Sequence, residues 1–300
     1  MGKSPETRNS NIYRLGAFRQ KACRAPKPQK VSKIIIVLVA RLSLEGSSSL
    51  ERETFRIIGM EGVDVKGAKL LVGIPDVGLV GVIATSHIVQ SLKMKELGHI
   101  DSDEVPPIVV IHENEPKSPI RFYGDGGNLL VLTTEIVLPP TAIFTVSRGI
   151  ARWAKSQGVD LVIGLTGLAT PNRLEIEKPA VYGVATNPET RQILGKAGIK
   201  PFEEGLLVGT YATLLRECLR AEQANLTLLA EAHLQFPDPG ASASIIETLN
   251  RLLNLNVDVG ELLDKAEEIR VKARELMKRT QEQLRSLKKI QEQELPGIYV

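Results

Sequence analysis

Cysteine, histidine and aromatic residues are scarce in this 300-residue chain, and each shortage closes off a class of function. Two isolated cysteines, Cys23 and Cys218, make neither a disulfide framework nor a zinc site and fit a reducing, cytoplasmic setting. His87, His99, His112 and His233 show no ligand spacing, so no metal or other cofactor is expected. Aromatics make up 4% of the chain, which leaves Val, Ile, Leu and Ala to fill a core. Long apolar runs are lacking too. The longest, residues 34–40, falls far short of the roughly 18–20 residues that span a bilayer, and Ala40-Arg41 is a poor signal-peptide cleavage site. The net charge is only +3, and the basic excess crowds between Lys3 and Arg41, so neither a membrane nor a nucleic-acid partner is implied for the rest.

What is there is an ordinary globular composition, 43% apolar and 24% charged, enough for a sizeable core. Residues 1–53 read as a basic, irregular extension: a disordered arm, a targeting segment, or sequence upstream of the native start. Across 54–240, strand-like runs at 69–75, 108–112, 120–123, 129–133, 159–166, 181–186 and 226–234 alternate with helical spacing at 80–92, 141–157, 190–196 and 210–223. Runs such as 69–75 and 159–166 are continuously apolar, as in strands covered on both faces. This pattern predicts an α/β fold, a mixed and mainly parallel sheet flanked by helices, with a hairpin turning at 124–128.

From Ala241 to Leu295 the chain reads as helical, with one amphipathic helix over 242–253 and one long helix over 259–294, about 50 Å in length. The seam of the long helix runs through Leu262, Ala266, Ile269, Ala273, Leu276, Thr280, Gln283, Leu287 and Ile290 at heptad spacing. Glu261–Lys265, Glu268–Lys272 and Glu275–Arg279 are i, i+4 pairs on its exposed side. Thr280 and Gln283 weaken the seam, so packing is expected at the start and projection at the end.

Few residues carry chemistry. The glycines between Gly73 and Gly81 match neither a P-loop nor a dinucleotide fingerprint, and the loop reads as a structural turn or an anion site. The loop from Gly164 to Arg173 follows a buried strand, where open α/β sheets take ligands. In it Thr166, Thr170, Asn172 and Arg173 could hold an anion or simply satisfy the turn backbone. Cys218 reads as a buried, inert thiol on an apolar helix face, and Glu113 and Glu115 as an exposed acidic turn. No nucleophile, base and orienting group come together.

The chain's end is more distinctive. Pro296-Gly297 stops the helix and gives a hinge before Ile298-Tyr299-Val300, an apolar terminus with a Tyr hydroxyl and a carboxylate suited to capture in a basic-floored pocket. With five Tyr in 300 residues and 43% apolar residues, a hydrophobic–Tyr–any ending arises by chance only roughly 0.7% of the time.

Taken in order, several stretches resemble the second proteasome assembly chaperone family in its archaeal-type form. They run from Val72 to Gly81, from Pro179 to Asn187, and through Phe236-Pro237-Asp238-Pro239 with Ala241 and Ala243. Leu206 to Gly209 before one helix and Leu228 to Glu231 after it agree as well, and the likeness covers about 55–300. The resemblance implies a nucleoside-phosphorylase-like fold without a known active site, homo-oligomers, and a tail that inserts between adjacent α subunits of the core proteasome. On that resemblance Ile298 fills the apolar part of the pocket, Tyr299 fixes orientation, and the Val300 carboxylate pairs with a pocket lysine. The expectation is a proteasome-binding assembly chaperone or activator and not an enzyme. Two rivals remain: a phosphorylase-like enzyme acting on a nucleoside or phosphorylated metabolite at the 73–81 or 164–173 loop, and a coiled-coil scaffold.

Overall fold

The runs at 69–73, 129–134, 161–169 and 225–232 lack polar alternation because all four lie side by side with helices on both faces. The computed structural model describes residues 55–294. Along the chain come β1 (Arg56–Ile58), β2 (Lys69–Gly73), α1 (Val80–Ser91), β3 (Lys95–Asp101), β4 (Val110–His112), β5 (Glu115–Lys117), β6 (Ile120–Gly124) and β7 (Leu129–Thr134). Then follow α2 (Pro140–Ser156), β8 (Leu161–Ala169), β9 (Val181–Ala185), α3 (Pro188–Lys196), β10 (Lys200–Pro201), α4 (Thr210–Arg220) and β11 (Asn225–Ala232). The helices α5 (Pro239–Leu253), α6 (Gly260–Asp264), α7 (Ala266–Lys272) and α8 (Arg274–Glu294) complete the order.

Nine strands form one mixed sheet in the order β1-β3-β6-β7-β2-β8-β11-β9-β10. Its centre, β7-β2-β8-β11, is parallel, and antiparallel pairings join the flanks on either side. One apolar layer packs α1, α3, α5 and the C-terminal helices against one face, with Leu71, Ile163, Leu165 and Leu228 from the strands. The other packs α2 and α4 over Leu70, Val72, Phe122 and Val162, where Trp153 tilts against Phe122 at 5.1 Å between ring centres. Burying such side chains contributes about 1.5–3 kcal/mol each.

Local signals fix several ends. Pro140 opens α2 and Pro188 opens α3, each at a first-turn position where the missing N–H is no loss. Asn187 and Thr190 form a capping box, with Thr190 N–H donating to Asn187 Oδ1 at 2.8 Å. Asp238 caps α5, and Asn254 in the left-handed region ends it.

Three expectations need correction. The 259–294 segment is not one straight helix but α6, α7 and α8, broken at Lys265 and Ala273, where ψ rises to 11° and 0°. The breaks let the segment follow α5 and then turn across the strand ends. Packing also runs further along it than expected: Met277 and Thr280 are buried, and the Gln283 amide donates to the Leu138 carbonyl. Lastly, the 108–112 run gives only β4, paired with β5 in a separate two-stranded sheet, and the main sheet gains β1, β3 and β10, which the sequence pattern did not reveal. β3 escaped notice because Gly98 and a bulge between Glu96 and Gly98 interrupt its alternation.

Candidate functional site

The carboxyl ends of β2 and β8 bring together the two glycine-containing loops singled out from sequence. β2 ends in the turn Ile74-Pro75-Asp76, held from below by Tyr211 of α4. The fully buried Tyr211 hydroxyl accepts the Ile74 N–H at 2.8 Å and lies 3.2 Å from the carbonyls of both Val72 and Ile74. Burial pushes the Tyr211 phenol well above its ordinary range, so it stays a neutral donor. Gly78 then takes a positive φ of 62°, and Gly81 sits where a Cβ would collide with the Leu165 carbonyl and lie 2.7 Å from the Tyr211 oxygen. These glycines allow α1 to approach β8 closely, which supports the structural-turn reading of the loop.

Thr166, near the end of β8, donates its hydroxyl to Asp76 Oδ2 at 2.7 Å. Asp76 also accepts the Val77 N–H, yet burial outweighs both bonds and raises its pKa to about 6. Asp76 is only partly buried.

Arg173 is buried and bound to the equally buried Asp238. Its Nη2 donates to Oδ1 at 3.0 Å and its Nη1 donates to the Ile176 carbonyl at 2.6 Å. Its Nε lies 2.8 Å from Oδ2 but off the line of its N–H, so that contact is charge attraction more than hydrogen bond. Asp238 further accepts the N–H groups of His233 and Ala241 at 3.1 and 3.0 Å, while its own N–H donates to the Gly78 carbonyl at 2.8 Å. Through its carboxylate and its own N–H, Asp238 thus ties together the turn after β2, the end of β11, the start of α5 and the loop after β8.

Of the four loop residues expected to be able to hold an anion, Thr166 and Arg173 therefore have their polar groups committed to Asp76 and Asp238. Thr170 donates to the Leu168 carbonyl at 3.0 Å, and Asn172 is exposed. Above them, α8 lies across the Val77–Leu79 turn, and its Gln281 amide donates to the Gln235 carbonyl. The crevice in which open α/β sheets take ligands is covered by this chain's own helix. Tyr211 was not singled out from sequence, and Asp238 appeared only within the Phe236–Pro239 stretch that carries the resemblance, with no structural role assigned. Asp238 was open to detection, since an Asp directly before Pro239 at a helix start is an N-cap signature.

The remaining candidates are scattered. Cys218 is buried and its thiol is pushed up to about 12, consistent with an inert role. Glu113 and Glu115 lie exposed at the β4–β5 turn. Among the described residues no cluster of three or more His, Cys, Asp or Glu could hold a metal, and no helix is long and apolar enough to cross a membrane. The hinge Pro296-Gly297, the tail Ile298-Tyr299-Val300 and the 1–53 extension lie outside the described residues.

This geometry defines an α/β domain whose strand-end loops are tied to one another and roofed by a C-terminal helix. The chain belongs to the PAC2 family, whose model matches residues 70–277. Among solved structures it is similar to PbaA of Pyrococcus furiosus, an archaeal homolog of proteasome-assembly chaperone, at 32% identity. That match covers 76% of this chain and 98% of PbaA with a TM-score of 0.71. PbaB of the same organism, an archaeal proteasome activator, shares the fold at 23% identity and a TM-score of 0.62, over 75% of this chain and 99% of PbaB. An uncharacterized protein of Methanocaldococcus jannaschii is 27% identical over 224 residues, 75% of this chain and 91% of that relative.

Proposed function

We propose that this chain is a proteasome-binding chaperone or activator that docks on the α ring of the core proteasome through Ile298-Tyr299-Val300, swung on the Pro296-Gly297 hinge. The observation that carries the reading is its likeness, along nearly the whole length of PbaA, to an archaeal homolog of proteasome-assembly chaperone. The covered strand ends add support, because Asp76, Thr166, Arg173 and Asp238 serve one another rather than an open pocket. A binding role accordingly outranks the phosphorylase-like enzyme, and cytoplasmic location and self-association go with it. A three-residue tail binds weakly alone, so several copies acting together fit the role.

The test is binding of purified protein to core proteasome, full length against Tyr299→Ala, with peptide hydrolysis followed in the same tubes. Binding with faster hydrolysis, both lost in the variant, marks a tail-docked activator, and binding without stimulation marks an assembly chaperone. No binding by either protein overturns the reading. Heat stabilisation on adding phosphate or a nucleoside would bring the enzyme reading back.

A further inference from the structure

Among the described residues, the hairpin β4–β5 leaves one strand edge unpaired. Glu113 and Asn114 have φ of 50° and 66°, the conformation of a two-residue turn that closes a hairpin. The residues flanking such a turn, His112 and Glu115, exchange both ladder bonds, so alternation makes Ile111 and Pro116 the non-bonded pair with backbone groups facing outward. On the β5 side that outward position is a proline flanked by Glu115 and Lys117, a combination that blocks strand addition. On the β4 side it is Ile111, whose outward N–H and C=O groups have no partner among the described residues, in the uncharged run Ile108-Val109-Val110-Ile111.

The side chains match this edge. Ile108, Val109 and Ile111 are 39%, 60% and 63% exposed, although an isolated two-stranded hairpin is marginal in water. The hairpin is also held in place. The His112 ring bonds to Glu135 at 2.8 Å, and Arg121 of β6 pairs with the same carboxylate, so the edge is presented by the main sheet.

We propose that the outer edge of β4 is an interface between two copies of this chain, paired antiparallel about Val110. In that register Val109 of each copy faces Ile111 of the other, and the outward backbone groups of both residues form four hydrogen bonds across the twofold axis. The four aliphatic side chains of those pairs gather on one face, and Ile108 meets the flat ring of His112 without any like-charge contact. Pro106-Pro107 ends the pairing on one side and the Glu113-Asn114 turn ends it on the other, which fixes the register. The three exposed aliphatics offer on the order of 300 Å² per copy, about a third of the ~800 Å² that each side of a stable interface buries. They are therefore an apolar centre, with strand backbone and the hairpin rim supplying the rest. A self-complementary strand of this kind closes with its own copy, which removes the hazard of an open edge.

The test is sedimentation velocity of the full chain from dilute to concentrated solution, comparing wild type with Ile111→Lys, Val109→Lys and Leu174→Lys. Leu174, 88% exposed in the loop after β8, controls for loss of an exposed apolar side chain elsewhere. Wild type should grow with concentration, and Ile111→Lys and Val109→Lys should weaken self-association by roughly 30-fold or more, as loss of a central anchor does. Leu174→Lys should behave as wild type, and unchanged circular dichroism should show all three folded. A wild type that stays monomeric throughout, an Ile111→Lys protein that assembles normally, or equal loss in all three variants overturns the proposal. The readout is size alone, so it stands or falls apart from proteasome docking.

Discussion

Deprotonation of Asp76 should make this fold less stable as pH rises through the range in which most proteins are steady. The carboxyl titrates near 3.8 in the unfolded chain and near 6 in the folded one, because burial opposes its charge more than Thr166 and Val77 favour it. Between those values the folded state holds a proton that the unfolded state has released, so stability falls with pH across the window and levels off above about 7. A difference of about 2 pKa units corresponds to about 3 kcal/mol at most, and the residual exposure of Asp76 lowers that ceiling. In Asp76→Asn the amide oxygen keeps the Thr166 bond and no group titrates, so the slope disappears while a constant offset remains. The assay is urea unfolding of both proteins from pH 4.5 to 7.5, with the stability difference plotted against pH. That difference should shift in favour of Asp76→Asn by about 1–2 kcal/mol across the range, since part of the effect is already lost at pH 4.5. Parallel curves for the two proteins would refute the reasoning, since they would mean that Asp76 titrates alike in both states.

Three further substitutions probe the strand ends. Tyr211→Phe leaves the buried Ile74 N–H without its acceptor and should cost about 1–3 kcal/mol in chemical unfolding. Arg173→Met strands the Asp238 carboxylate and should cost about 3 kcal/mol, the lower end for a broken buried pair, because two backbone N–H groups still hold Asp238. Met277→Ala empties the contact of α8 with the core, at about 2–4 kcal/mol for that helix, and amide exchange should accelerate from Arg274 to Ser286 while β2 and β8 stay protected.

The sheet was legible in the sequence wherever burial on both sides wrote it as an unbroken apolar run, as at 69–73 and 161–169. β3 was not, because an antiparallel flank strand needs only Leu97 and Ile100 turned toward apolar neighbours and tolerates Lys95, Glu96, His99 and Asp101 between them. The heptad seam marked Leu262, Ile269 and Ala273 as packed residues of the C-terminal segment but missed Met277, which is buried one position off it. It did not reveal the breaks at Lys265 and Ala273, since neither carries a helix-breaking side chain. The loop residues Thr166 and Arg173 were visible as candidates, but their use was not. Whether an arginine binds a ligand or its own chain depends on Asp238, some 65 positions away, and nothing in local spacing joins them.

The two proposals make a joint prediction that neither makes alone. If tails dock on the α ring and β4 edges join copies in pairs, each pair brings two tails to one ring, and the second binds as a tethered ligand. Linked binding raises apparent affinity by about 10²–10⁴-fold when both sites can be spanned. Ile111→Lys leaves Ile298-Tyr299-Val300 intact yet separates the copies, so its affinity for core proteasome should fall by at least on the order of 10²-fold. A covalent tether between two Ile111→Lys chains should recover much of that loss, because it restores the second tail without restoring the strand edge. Tyr299→Ala in the same tethered pair should abolish binding. Should Ile111→Lys bind the ring as tightly as wild type while running as a monomer, a single tail would suffice, and pairing through β4 would serve some purpose other than docking.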